Sequence, residues 1–437
     1  MKKILIYTLI FTAVIGQTVM AQEDMHPSPP QTKAIIIIGG TIHIGNGKVI
    51  DKGSITFSNG KITDISDNAI SGLPLVSDRT QVIDATGKQI YPGIIAANTK
   101  LGLIEVESTK STRDNEELGD NNAAIRSLVA YNTDSKVINT VRSNGVLLAN
   151  IVPEGGTISG NASVVQLDAW NWEDAAYKTD NGIHLNMPSL INLNRGATPA
   201  AEDAVKKGLD KVEAIKVFFK EAKGYLADGN HTATNLKFEA VRGLFDGSKT
   251  LFVHCDLVKE MMVAIDLAKE FGFKLTLVSA TDCWMITDIL KANNVSIVLA
   301  DPHSLPLIED DAVDQPYKTA AALQKAGIVF TIYTNLMGGF YNQRNLPFIA
   351  GTLATYGLTK EEALQAITLN AAKILGIEDK TGSLEVGKDA NIVISNGDIL
   401  DMKSSNVTNA FIQGRALNLD NKQKQLFEKY KYKYGLK

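Results

Sequence analysis

The chain has 437 residues, 44% hydrophobic and 21% charged, enough to bury one large core and a smaller second one. Its formal net charge of −4 comes from interspersed acids and bases with no long single-sign block. That excludes an electrostatic grip on nucleic acid and points to a small or neutral partner.

Lys2 and Lys3 precede the apolar run "ILIYTLIFTAVIG" and then "TVMAQ", a charged, apolar and small-residue succession that reads as a secretory signal peptide, residues 1–21, cut after Ala21. The apolar run is shorter than the ~20 residues of a spanning helix. An exported protein, periplasmic or secreted, is expected, with an uncleaved anchor as the alternative. Residues 22–32 form a Pro-rich linker. From 33, β-rich runs alternate with Gly and Asn turns at hairpin spacing, and the same style returns late in "GSLEVGKDANIVISNGDI". Residues 33–90 and 381–418 are therefore expected to build one small antiparallel β-domain from both ends of the chain, with residues 419–437 as a C-terminal helix or tail.

Between them, residues 91–380 alternate short apolar strands with amphipathic helices, the pattern of a parallel sheet covered by helices. Eight strand candidates occur: "GIIAAN", "GVLLANIV", "ASVVQL", "IHLNM", "TLFVH", "KLTLVS", "VSIVLA" and "IVFTIYT". The clearest helix, "LVKEMMVAIDLAKEFG", carries Met261 and Ile265 on its apolar face and stops at Gly272. Eight strands over this length fit an α/β fold of the (β/α)8 barrel type, although residues 103–145 and 196–245 hold long excursions that an open sheet could also carry.

In a barrel the chemistry belongs at the strands' C-terminal ends. There stand Asn98 and Lys100, Glu154, His184 and Asn186, His254 and Asp256, Ser279 and Asp282, Asp301 and His303, Thr334 and Asn335. His254, two residues after Phe252 on its strand, points into the mouth; the competing account is a buried histidine bonded to a backbone carbonyl. His303 lies on a Pro-bounded loop and reads as structural, and His26, His43 and His231 fall away from the mouth. Cys255 should face away from the inward residue before it, which argues against a bridge to Cys283. No phosphate loop and no G-x-S-x-G nucleophile elbow occurs.

The segments "KVIDKGSITFSNGKITDI", "YPGIIAANTKLG", "LFVHCD", "GLTKEEALQAITLNAAKILGI" and "TGSLEVGKDANIVI" resemble the metal-dependent amidohydrolase superfamily, closest to its imidazolonepropionase-like branch. The resemblance implies a TIM-like barrel, a β-sandwich built from both ends of the chain, and hydrolysis of carbon–nitrogen bonds other than peptide bonds, typically in cyclic amides. It also implies a divalent metal such as zinc, held by a His-x-His pair, two further histidines and an aspartate. Those seats fall on Asn98 and Lys100, His254, Ser279 and Asn335, so one ligand of five survives, and Ala96 replaces the aspartate that commonly precedes the pair. Asn and Ser are poor zinc ligands, and lysine, a cation with no acceptor, repels a metal. No cofactor is therefore expected, against the zinc of the family.

The exchanged residues are polar and leave a usable pocket. Lys100 stands where it can supply the metal's positive charge and His254 where it can carry a proton, with Asn98, Ser279 and Asn335 orienting a small-molecule ligand. The alternative is a non-catalytic ligand-binding or accessory subunit, a pseudoenzyme in which Lys100 pairs with Glu105 or Asp301. Self-association, or association with a catalytic relative, stays open.

Overall fold

The structure, a computed structural model, describes residues 26–67, 79–190, 200–308, 310–334 and 339–436. The signal segment lies outside them. Among the described residues no helix is long and apolar enough to cross a membrane.

Eight strands form one sheet: β1 (Ala34–His43), β2 (Val49–Ser58), β3 (Lys61–Ser66), β4 (Thr80–Asp84) and β5 (Gln89–Pro92) from the first part of the chain, then β14 (Ile392–Ser395), β15 (Val407–Ile412) and β16 (Arg415–Ala416). The two parts meet where β5 pairs antiparallel with β14. The expected all-antiparallel pattern fails at β1, which pairs parallel with both β4 and β5. β4 and β5 are too short to cover β1 singly, and each takes one half of its edge. Alternate residues of the strands, among them Ile35, Ile37, Ile55, Phe57, Ile90 and Ile392, close over a core of their own.

The second sheet runs β13-β12-β11-β10-β9-β8-β7-β6, a nearly closed barrel of β6 (Ile94–Thr99), β7 (Val146–Ile151), β8 (Ile158–Gln166), β9 (Ala176–Asn186), β10 (Thr250–Cys255), β11 (Leu275–Ser279), β12 (Ser296–Leu299) and β13 (Phe330–Ile332). β6 follows β5 across Pro92 and Gly93, and a Cβ on Gly93 would lie 2.7 Å from Leu147 Cδ1, so a larger residue there would displace the Leu147 side chain. The barrel is filled by Ile95, Ala97, Leu148, Val164, Phe252, Val278 and Val298. The seam between β13 and β6 is filled by the chain around 364–375: Ile95 N donates to Ile367 O at 2.9 Å and Asn370 Nδ2 to Phe330 O at 3.1 Å.

The parallel arrangement expected for all eight strands does not hold at the third. β8 is antiparallel to both β7 and β9. The reason is length: residues 152–157 join β7 to β8, far fewer than the dozen a parallel crossover requires. Gly155 and Gly156 turn the chain there with φ of 87° and 66°. The helix Val258–Phe271 is as expected, burying Met261, Ala264, Ile265 and Leu267 and ending on Gly272 in the left-handed conformation. Cys255 and Cys283 are both free and buried.

One clasp ties the first sheet to the barrel's helices. His43 on β1 donates from Nδ1 to Glu361 Oε1 at 2.6 Å and from Nε2 to Gln89 Oε1 at 2.8 Å, stacked on Tyr91 at 4.5 Å. Burial pulls its pKa down, but the bonds to Glu361 and Gln89 outweigh it and the net shift is upward. The folded state therefore favours imidazolium, and the clasp's contribution is complete below the unfolded pKa of about 6.5 and lost as pH rises through the folded one. His43→Gln is expected to cost roughly 1–2 kcal/mol at mildly acidic pH and less in alkali. Urea midpoints of both proteins across pH check this; a pH-independent difference would refute a charged His43.

Candidate functional site

The mouth of the barrel, at the C-terminal ends of β6, β7 and β10, opens on a cavity of about 360 Å³ lined by Asn98, Lys100, Glu154, His254, Tyr333 and Thr334 among others. Asn98 and His254 are the penultimate residues of β6 and β10, and Lys100, Glu154 and Thr334 follow within three residues of a strand's end. The strand interiors are apolar because both faces are buried, so side-chain polarity begins where the sheet ends.

His254 and Phe252 share a strand face, and Phe252 fills the barrel beneath. Neighbouring β9 is in register, with His184 opposite Phe252, and this brings the two imidazoles together: His184 Nδ1 lies 2.8 Å from His254 Nε2. His184 stacks flat on Phe252 with ring centroids 4.7 Å apart, and its Nε2 is buried without a hydrogen-bond partner. Burial pushes the pKa of His254 down to about 4; Glu154 and Asp256 pull against this, while Lys100 adds to it. Burial, then the neighbouring His254, holds His184 well below its usual range. The mouth thus contains a neutral, hydrogen-bonded histidine pair at pH 7, and the bond to His184 takes up one of the two ring nitrogens of His254.

Lys100 pairs with Glu154 Oε1, and the other carboxylate oxygen of Glu154 accepts from Asn115 Nδ2 at 3.0 Å. This corrects the expected partners. Glu105 is occupied elsewhere, accepting from Asn132 and Ser135, and Asp301 accepts from the backbone of His303. Adjacency of β6 and β7 brings the residues just past them together, and neither alternative acid lies on an adjoining strand end.

Of the other predicted residues, Asn98 lines the cavity but Ser279 does not. Ser279 and Ala280 both have left-handed backbone, φ 73° and 50°, which turns the chain back so that Ala280 N donates to Cys255 O at 2.8 Å. Asn335 lies outside the described residues. Asn186 is tied to Gly156 O and Ser159 Oγ. His303 faces outward, bonding Thr352 at 3.2 Å. Asp282, beyond β11, is pushed up to about 6 by burial and then by Asp311, Asp256 and Glu260.

Sequence reading missed Ile104, Glu107, Val152 and Phe340 as cavity walls. Ile104 and Glu107 stand on the excursion after β6, which has no periodicity to reveal which way its side chains turn. Among the described residues no group of three or more His, Cys, Asp or Glu is placed to hold a metal ion.

Residues 200–417 match the Amidohydrolase family. The imidazolonepropionase of Streptococcus gordonii is 25% identical over 379 residues, covering 81% of this chain and 86% of that protein. That of Mesorhizobium japonicum is 25% identical over 368 residues, covering 79% and 87%. Among solved structures, an amidohydrolase from Thermotoga maritima MSB8 superposes with a TM-score of 0.74 at 24% identity, over 88% of this chain and 99% of that one.

Proposed function

The chain belongs to the amidohydrolase superfamily, on its imidazolonepropionase-like branch, and from that premise we propose that its barrel mouth binds a small cyclic amide and hydrolyses its carbon–nitrogen bond with protein groups in place of a metal. The observation that carries this is the convergence of Asn98, Lys100, Glu154 and His254 on one cavity at the strand ends.

The family is typically metal-dependent, and the fit of a metal to these residues is poor. A catalytic zinc takes about three nitrogen, sulfur or carboxylate ligands and keeps a water. Here Asn98 offers an amide, Lys100 an ammonium already paired with Glu154, and His254 an imidazole whose Nε2 is bonded to His184. No step is routed through a metal. The amide carbonyl accepts from Lys100 and Asn98, which stabilise the charge that develops on its oxygen. Water attacks the carbonyl carbon as His254 takes its proton, and the C–N bond breaks as that proton passes to the leaving nitrogen. The imidazolium that forms in between is favoured by Glu154 and Asp256.

A second reading has its own support. Glu154 already neutralises Lys100, the group asked to polarise the carbonyl, as in a site that binds a ligand without turning it over. One experiment separates the two: incubation of protein purified without chelator with lactams, hydantoins and dipeptide-like amides, alongside thermal shift with the same compounds. Turnover that His254→Gln abolishes while binding survives supports hydrolysis. Binding without turnover in the wild type selects the ligand-binding or accessory role. About one zinc per chain would overturn the metal-free mechanism.

A further inference from the structure

The helix Lys422–Tyr434 carries an exposed aromatic stripe that the site does not use. None of its residues is buried. Among the described residues its hydrogen bonds to the rest of the chain lie at its first turn, where Asn421 caps it by accepting from Lys424 N and donates to Ser143 Oγ at 2.8 Å, and Thr140 Oγ1 donates to Gln423 Oε1 at 2.9 Å. Isolated helices of ~12–15 residues are marginal in water, so a projecting one of this length gains from a partner for its apolar side.

That side holds four of the helix's five apolar or aromatic side chains, and the fifth, Tyr432, projects from the opposite side. At about 100° per residue, Leu426, Tyr430, Tyr434 and Phe427 project within one sector about 100° wide. Phe427 is 64% and Tyr434 65% exposed. Lys422, Lys429 and Lys433 line one shoulder of the stripe and Lys424 and Lys431 the other, while Glu428, the helix's one acid, projects from the opposite side. Lys433 Nζ lies 5.8 Å from the ring centre of Tyr430 and 5.3 Å from that of Tyr434. The charge is local, since the chain as a whole has a net charge of −4.

We propose that this helix lies on a lipid bilayer bearing anionic phospholipid headgroups, with Phe427, Tyr430 and Tyr434 in the headgroup layer and the lysines of both shoulders reaching phosphate. Three features select this occupant. A second copy paired through the same face would set five lysines against five, which like-charge repulsion disfavours. The stripe is mostly aromatic, and tyrosine suits a boundary apolar on one side and wet on the other, such as the headgroup layer. Lysines along both edges, with the acid opposite, match a helix in the plane of an anionic surface.

The test is sedimentation of the chain from Gln22 onward, the exported form on the reading above, with vesicles of phosphatidylglycerol and phosphatidylcholine or of phosphatidylcholine alone. Partitioning is expected onto the anionic vesicles, weakening as salt is raised. The quadruple variant Lys424→Gln, Lys429→Gln, Lys431→Gln, Lys433→Gln is expected to lose roughly tenfold or more in partitioning. Phe427→Ser with Tyr430→Ser is expected to weaken it as well; both side chains are exposed, so thermal unfolding should stay unchanged. Equal binding to neutral vesicles, or unaltered binding by the lysine variant, overturns the proposal. So does absence of binding to either vesicle, which would leave the stripe to an acidic protein groove, or a dimer that Phe427→Ser dissolves.

Discussion

Asp168→Ala is expected to destabilise the folded chain by about 3–5 kcal/mol, the range for removing one partner of a buried ion pair. Asp168 is only 4% exposed and its carboxylate accepts from three places: Arg142 Nη1 at 2.5 Å, Arg415 Nη1 at 3.0 Å and the backbone N of Ser28 at 3.0 Å. Its carbonyl accepts from Arg415 Nη2 at 2.9 Å, and Arg142 Nη2 reaches Asn418 O at 3.0 Å. The carboxylate thus joins the end of β8 to the helix Lys136–Arg142, to β16 and to the segment before β1. Burial pulls the Arg142 guanidinium below its usual range while Asp168 holds it up and Arg415 pulls it further down. Alanine would leave two guanidiniums facing each other without a counterion. Asp168→Asn keeps the shape and one acceptor but removes the charge, and should fall between alanine and wild type. Urea unfolding measures both. A loss under about 1 kcal/mol for alanine, as for an exposed pair, would show that the two arginines find water or other acceptors.

Legibility in the sequence followed the range of the interaction. The barrel could be read because apolar runs alternating with amphipathic helices are local patterns, and the split sheet because Gly and Asn turns recur at both ends of the chain. The reversal of β8 was written in "VPEGGT", six residues with two glycines between apolar runs, which is a hairpin signal; the surrounding alternation masked it. The direction of His254 followed from its spacing to Phe252, yet its partner His184 depends on the register of β9 against β10, which no local pattern encodes. Lys100 shows the same limit. Glu154 is 54 residues away, and only the adjacency of β6 and β7 selects it over the nearer Glu105. The stripe on the last helix was plain in "LFEKYKYKY", but alternating lysine and tyrosine reads as solvated until exposure shows the rings uncovered.

Acidification from pH 7 to pH 4 should cost about 3 kcal/mol of stability through His254 alone, since its pKa falls from 6.5 to about 4 on folding and each pKa unit corresponds to about 1.4 kcal/mol. His184, depressed in the same direction, adds to the loss. The sign follows from proton uptake. Below pH 6.5 the unfolded chain protonates both imidazoles while the folded mouth keeps them neutral, so the contribution is complete above 6.5 and drains away as pH falls towards 4. His43 acts only at the top of this window and with the opposite sign: its folded pKa lies above the unfolded one, so its contribution is still completing as pH falls through 6.5 and is constant at lower pH, where it is charged in both states. One carboxylate opposes the loss: Asp282, pushed up to about 6, takes up its proton in the folded state as pH falls through the same window, so the histidine contribution is read as the difference between wild type and a protein without the pair. Urea midpoints at half-unit steps should therefore drop further between pH 6.5 and 4.5 in the wild type than in a protein lacking the pair. His254→Gln combined with His184→Phe, which keeps an aromatic ring on Phe252, is that protein, and it should lose the extra drop while keeping the acid unfolding below pH 4. Parallel curves for the two proteins would show that the pair takes up protons when folded as readily as when unfolded. The mouth would then hold an imidazolium beside Glu154 at mildly acidic pH, and the proton-accepting role given to His254 would fail with it.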